Sequence, residues 1–344
     1  MPEKILFQTC AVWRYFDLKM SHPMSARVSG KPVSPPEDVD ALLVKVEALM
    51  FQALVLDRRF NSSGEADARS AAAYHVSSGG RRVRARLALS GGLALGLPEN
   101  DSLCIATSAE LLHNASLIHD DIQDNDSLRR GRPSLWSKFG TNMAICSGDY
   151  LLSAAYGVLC TVTRPHRLPA MIELLHERTG AAIDGQCADL SMRPDQPDGL
   201  AHYIKIAKAK SGALLSLPLE LVLIAAGRTD ALSLARHACE TFAVSYQICD
   251  DLLDAAADCE THSPGKGLPK SLNIVFILRH QNSLAATEHQ VDPEVAARDL
   301  GLRHLALCEA LVSQMPHAMG ALLLDLSMEL RAMFGAVSPA ECGE

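Results

Sequence analysis

Aromatic residues make up only 5% of this 344-residue chain, although 48% of it is hydrophobic. Any core it builds is therefore largely aliphatic. Long runs alternating Val, Ile and Thr with polar residues are also missing, which removes the period-two signature of half-buried strands. Ala and Leu are abundant instead, and both favour helix. The ten cysteines contain no Cys-x-x-Cys pair and no spacing suited to zinc. Several of them (Cys104, Cys146, Cys160, Cys249) fall in apolar helical stretches, where a free thiol behaves as a small hydrophobe. That usage fits a reducing cytoplasm. Basic charge is not in excess: the net charge of −8 argues against non-specific nucleic-acid binding. No run reaches the ~18 uninterrupted apolar residues of a membrane span. Leu214 to Ala226 comes nearest, but it is short and holds Pro218 and Glu220.

On length alone the chain could hold two domains, but its composition favours one large all-α domain over residues 37–335. Residues 1–36 read differently. They mix polar segments with the apolar patch Cys10-Ala-Val-Trp13 and end in Gly30-Lys-Pro-Val-Ser-Pro-Pro36, without the layered charge and hydrophobicity of a secretory signal. The expectation is a disordered extension or an upstream mis-start, with Met20 or Met24 as the true beginning. Residues 336–344 form a tail.

What is present is organised around Ser116 to Gly131. Thr107 to Ile118 reads as an apolar helix, followed by Asp120, Asp121 and Asp124 and then the pair Arg129 and Arg130. If the helix continues, Asp120 and Asp124 stack on one face and Asp121 lies about 100° round. Stacked carboxylates repel by a few tenths of a kcal/mol, so helix stability does not explain them. A hard cation such as Mg²⁺ does, since it takes a few carboxylates and completes its shell with water and phosphate. A lone acidic helix end would read as a solvated surface. This one recurs: Tyr246-Gln-Ile-Cys-Asp-Asp-Leu-Leu-Asp254 places Asp250, Asp251 and Asp254 at the same spacing on a second apolar helix. Two such motifs imply a facing pair of metal-binding rims. Arg81, Arg82, Arg84 and Arg86 open another helix after Gly79-Gly80. Cations are misplaced at that end of a helix dipole, which implies an anionic partner.

With these stand Glu110-Leu-Leu-His113, Arg129-Arg-Gly-Arg-Pro133, Ser147-Gly-Asp-Tyr-Leu151, Gly185-Gln-Cys-Ala-Asp189, Lys210-Ser211 and Gln247. In this order, over about residues 40–335, they resemble the trans-isoprenyl diphosphate synthases, the polyprenyl synthetase family. The resemblance implies a helical bundle of the isoprenoid synthase type with a central active-site cavity. It also implies condensation of isopentenyl diphosphate with an allylic diphosphate, with Mg²⁺ (or Mn²⁺ in its place) held by Asp120, Asp121, Asp124, Asp250, Asp251 and Asp254. Arg81, Arg84, His113 and Arg130 map onto the isopentenyl diphosphate site. Arg129, Lys210 with Ser211, Gln247 and the loop lysines Lys266 and Lys270 map onto the allylic side. His119 is read as structural, and Trp136 has no explanation. The family has Lys where Arg81 stands and Pro where Ala85 stands, and its loop after the second motif is longer than Ser263 to Ser271. Family members are usually homodimers. A terpene cyclase of similar fold and a non-catalytic subunit of a heteromeric synthase are the rival readings. Chain length is expected to depend on the residues below the first motif. Ala115 and Ser116 are small and Leu111 and Leu112 form a partial floor, so the product is expected at geranylgeranyl length or longer.

Overall fold

The computed structural model describes residues 36–55, 67–192, 198–261, 273–284 and 291–336. The expected leading extension and tail, and Lys266 and Lys270, lie outside the described residues. The fold is all-α, as expected; among the described residues the only strands are the two-residue pair β1 (Leu128–Arg129) and β2 (Arg132–Pro133). Within the span expected to form one domain, the chain divides into two compact units. The first closes at Leu175 and takes back Leu221–Gly227; the second comprises His176–Glu220 and the chain from Arg228 on.

In the first unit, α1 (Pro36–Val55), α2 (Ala68–Val76) and α3 (Val83–Ala94) precede the long α4 (Glu99–Gln123). After the β1–β2 turn come α5 (Leu135–Phe139), α6 (Thr141–Leu159) and the start of α7 (Leu168–Ser191). Helix α4 is the centre of this unit, packed by α1, α3, α5 and α6. Its interior positions are buried from Ser102 to Leu112, Glu110 among them. Its N-terminal turn carries Glu99 and Asp101, which suits the dipole. Asp101, fully buried, accepts the Thr163 N–H at 2.6 Å and so ties that turn to the chain beyond α6. Helix α2 is closed by a capping box between Asp67 and Ser70.

The second unit is built on α10 (Leu232–Thr261), with α8 (Gly199–Ala207), the π-turn Lys208–Gly212, the start of α9 (Ala213–Ala226), α11 (Ile274–Leu284), α12 (Pro293–Val312) and α13 (Ala321–Ala336). Asp292 caps α12, accepting the Glu294 and Val295 N–H groups, with Pro293 at its first position. Glu220, fully buried, is paired with Arg178 at 3.2 Å and Arg236 at 3.0 Å, which links α9, α7 and α10.

Two expectations change. The run from Gly199 to Ala226 is continuous helix and meets the length and composition of a membrane span, yet 78% of its most apolar window is buried inside the protein. Pro218 is accommodated within α9. Among the cysteines, Cys104 and Cys249 are buried as expected, and burial pushes the Cys249 thiol up to about 12. Cys146, on α6, and Cys160, which caps the C-terminus of that helix, are exposed.

Candidate active site

The helix expected below the first aspartate motif runs through it. Helix α4 ends at Gln123, and Asp124 caps it, its N–H donating to the Asp120 carbonyl at 2.8 Å. Asp120 is half-buried and Asp124 exposed. Asp121 points elsewhere: it has no exposed surface, and its Oδ1 accepts the Arg129 Nε–H at 2.8 Å and the Arg129 Nη2 as well. Burial raises the Asp121 carboxyl to about 6, against the pull of Arg129. Its backbone carbonyl accepts the Asp126 N–H at 2.9 Å. Trp136 now has a role, its indole N–H donating to the Asp126 carbonyl at 2.8 Å. The turn that carries the two arginines is therefore held from both sides.

Arg130 reaches back to the glycine turn before α3. Its Nη1 donates to the Gly79 carbonyl and, at 3.2 Å, meets Ser78 Oγ. Gly80 has φ +123°, and a Cβ there would lie 2.6 Å from the guanidinium carbon. Only glycine admits both that backbone and that side chain. Two motifs 50 residues apart in sequence are thus one local structure.

The four arginines after this turn divide. Arg82, 4% exposed and in the left-handed region, pairs with Glu47 at 3.2 Å and Glu110 at 3.9 Å and donates to the Val76 carbonyl at 2.9 Å. Arg86 pairs with Asp40 at 2.6 Å. For these two the anionic partner inferred from the dipole is a protein carboxylate. Glu110, 2% exposed, also accepts the Ala85 N–H at 3.1 Å and caps α3 from another helix. Sequence reasoning missed this carboxylate, although it lay in a quoted motif. Arg81 is half-buried and Arg84 is 8% exposed, beside His113. Burial first, then Arg84, Arg130, Arg129 and His75, holds His113 well below the ordinary imidazole range. The ring is neutral at pH 7 because burial disfavours its charged form and the surrounding cations add to that. That crowding of positive charge is the observable mark of an anion site.

In the second unit, Asp250 and Asp251 lie on α10 at 8% and 4% exposure, and Asp254 is half-buried. Asp251 Oδ2 accepts the Tyr203 hydroxyl at 2.8 Å and the Ile274 N–H at 2.9 Å; Oδ1 accepts Gln247 Nε2 at 3.1 Å. Its carbonyl takes Asn273 Nδ2 at 2.9 Å. Burial raises this carboxyl to about 8 against those donors. Gln247, expected at the reacting carbons, donates to Asp251. Lys210 and Ser211 sit in the π-turn, an irregularity that recurs at functional positions. Gly185 makes room for it: a Cβ there would lie 2.5 Å from the Lys210 backbone nitrogen. Lys210 Nζ pairs with Asp189 at 2.7 Å, joining two motifs that sequence left separate.

Below the first motif, Leu111, Leu112 and Ala115 are buried at 0%, 4% and 3% exposure, whereas Ser116 is half-buried and donates to the His113 carbonyl at 2.8 Å. His119 stands 3.5 Å from Asp149. Among the described residues, no group of three His, Cys, Asp or Glu side chains is arranged to hold a metal by itself. The donor chemistry nevertheless fits Mg²⁺, since hard carboxylate oxygens stacked one turn apart at Asp120 and Asp124 suit a cation whose remaining ligands are water and phosphate.

The fold is the all-helical one of the isoprenoid synthases. A decaprenyl diphosphate synthase from Rhodobacter capsulatus superposes with a TM-score of 0.70 at 19% identity, over 88% of this chain and 98% of that one. The polyprenyl synthetase family model matches residues 66–269, and the chain belongs to that family. It is 34% identical over 214 residues to the (2E,6E)-farnesyl diphosphate synthase of Mycobacterium tuberculosis, covering 59% of this chain and 58% of that enzyme. A geranylgeranyl diphosphate synthase of Methanosarcina mazei is 30% identical over 200 residues, 57% of this chain and 61% of that protein. The matches span less than two thirds of these relatives' lengths.

Proposed function

We propose that the chain is a prenyltransferase that condenses isopentenyl diphosphate with an allylic diphosphate to give a trans-polyprenyl diphosphate of geranylgeranyl length or longer. The observation that carries this reading is the set of Arg84, Arg129 and Arg130 gathered around a neutral His113 beside the first aspartate motif. Carboxylates of the two motifs would hold Mg²⁺, with Mn²⁺ as a substitute, and the cation supplies charge neutralisation for a leaving diphosphate. Arg129 and Lys210 add positive charge on the allylic side. The allylic C–O bond breaks and its electron pair leaves with the diphosphate. The isopentenyl double bond, oriented by Arg81, Arg84, His113 and Arg130, attacks the allylic cation, and the departing diphosphate takes the proton released. Apolar helix walls keep water from the cation. Lys266 and Lys270 belong to the same reading. So do a homodimeric state and a cytoplasmic location, the latter supported by free thiols at Cys104, Cys146, Cys160, Cys187, Cys239, Cys249 and Cys308.

Product length rests on the small side chains Ala115 and Ser116. The relatives' names span farnesyl to decaprenyl products, so sizing decides it. The test is incubation with Mg²⁺, isopentenyl diphosphate and allylic diphosphates of increasing length. Arg84→Ala is expected to raise the KM for isopentenyl diphosphate by roughly 10- to 100-fold, the loss of a charge-assisted contact, with a smaller change for the allylic substrate. A cyclic product formed without isopentenyl diphosphate would instead establish a cyclase, and a farnesyl product would overturn the length assignment.

A further inference from the structure

Of the arginines that open α3, Arg82 and Arg86 are met by the protein itself, and each meeting fixes backbone as well as charge. Arg82 is the N-cap of α3 and has no side-chain cap bond of its own. Its Nη2 donates to the Val76 carbonyl at 2.9 Å and its Nε to Glu47 at 3.2 Å, while Glu110 stands 3.9 Å from Nη1. Those partners come from α2, α1 and α4. Glu110 also accepts the Ala85 N–H at 3.1 Å. Arg86, paired with Asp40 of α1 at 2.6 Å, turns its Nε back to the Arg81 carbonyl at 3.2 Å. The backbone is thus held at 81 and 85, and between them Arg82 has a φ of 51°. A residue with a side chain keeps that left-handed conformation only where its surroundings over-determine it.

We propose that Arg82, Arg86 and Glu110 are positioning residues that form a clamp: they impose the left-handed turn at Arg82 and so fix where Arg81 and Arg84 present their guanidinium groups. This rests on the reading above, in which Arg81 and Arg84 hold isopentenyl diphosphate, and deepens it. Two arginines that grip one diphosphate need both forks at a single spacing. A turn free to adopt other conformations would offer that spacing for only a fraction of the time, and apparent affinity falls by the same fraction. The clamp removes the alternatives before substrate arrives. None of its three members has to touch the substrate.

Calorimetric titration with isopentenyl diphosphate in the presence of EDTA tests the clamp without calling on the metal. Arg84→Ala is expected to weaken binding by roughly 10- to 100-fold, as the loss of a direct contact. Glu110→Gln weakens it by about tenfold and Arg86→Ala by about threefold, each through a smaller competent fraction. In turnover both variants raise the KM for isopentenyl diphosphate by the same factors, while the KM for the allylic diphosphate changes by less than about twofold. A change that only destabilised the protein would lower the active fraction and leave both KM values where they were. Glu110→Gln combined with Arg84→Ala weakens binding by less than the product of the two single effects, because the carboxylate acts through the arginine. Should Glu110→Gln not fold, Arg86→Ala carries the test, since its pair with Asp40 is solvent-exposed and contributes little stability. Unchanged affinity in the clamp variants beside a weakened Arg84→Ala would overturn the proposal, as would equal effects on the two substrates or full additivity with Arg84→Ala. Unchanged affinity in Arg84→Ala itself would overturn the assignment of the substrate to that arginine, and the clamp with it.

Discussion

At the scale of single residues, the first unit holds two imidazoles in a field of arginines. His75 is 3% exposed, and burial, then Arg130, Arg129 and Arg82, lowers its pKa to about 3. The unfolded chain takes up this proton near pH 6.5, and the native state does not until about pH 3. Stability from His75 is therefore present above the unfolded pKa and lost as pH falls from 6.5 toward 3. Between pH 7 and 5 the loss is about 2 kcal/mol. Asp121 and Asp251 act in the opposite sense, since their raised pKa values keep a proton on the native state that the unfolded chain releases. The wild-type profile mixes these effects, so the difference between wild type and His75→Gln isolates the histidine. Urea midpoints at pH 7 and pH 5 are expected to show wild type losing about 2 kcal/mol more than the variant. Equal losses would mean that His75 titrates normally in the folded protein.

At the scale of elements, the helices bearing both aspartate motifs were legible from apolar periodicity, and Asp120 and Asp124 stack as the 3.6-residue repeat requires. What spacing could not supply was the partner of each charge. Glu47 and Glu110 answer Arg82 from positions 35 and 28 residues away, and Asp40 answers Arg86 from 46 away. The π-turn at Lys210 was equally hidden, because its backbone packs closely against Gly185 of another helix. Helix α3 shows what such long-range partners contribute. It begins with Arg82 in a left-handed conformation and no side-chain cap of its own, and Glu110 supplies an acceptor to Ala85 from α4. Glu110→Ala removes the cap and part of the compensation of a buried arginine, together about 3 kcal/mol. Glu110→Gln keeps an acceptor for the Ala85 N–H but not the charge, and is expected to lose about half as much. Thermal melts of both variants measure the split; equal losses would assign the whole effect to the ion pair.

At the scale of the whole molecule, the family and fold were legible because their motifs need particular residues at particular spacings, whereas the stability of the chain rests on aliphatic side chains that any helical protein shares. Each unit has its own buried set, such as Leu87, Leu89, Ile105, Leu111 and Leu151 in the first and Ile248, Ile274, Leu305, Leu323 and Leu330 in the second. Among the described residues no three metal-ligating side chains form a preassembled cage. On the proposed reading, metal adds little to the folded state until a diphosphate supplies the remaining ligands. Treatment with EDTA is expected to abolish turnover while leaving the melting temperature unchanged. Mg²⁺ alone should raise the melting temperature only slightly. Mg²⁺ with inorganic diphosphate at about a hundred times its dissociation constant should stabilise the protein by about 2.7 kcal/mol through mass action. A melting temperature that drops on chelation would mean that a metal is part of the fold. Equal stabilisation by Mg²⁺ with and without diphosphate would mean that the carboxylates bind it unaided, and the dependence of metal on substrate argued from the donor set would be wrong.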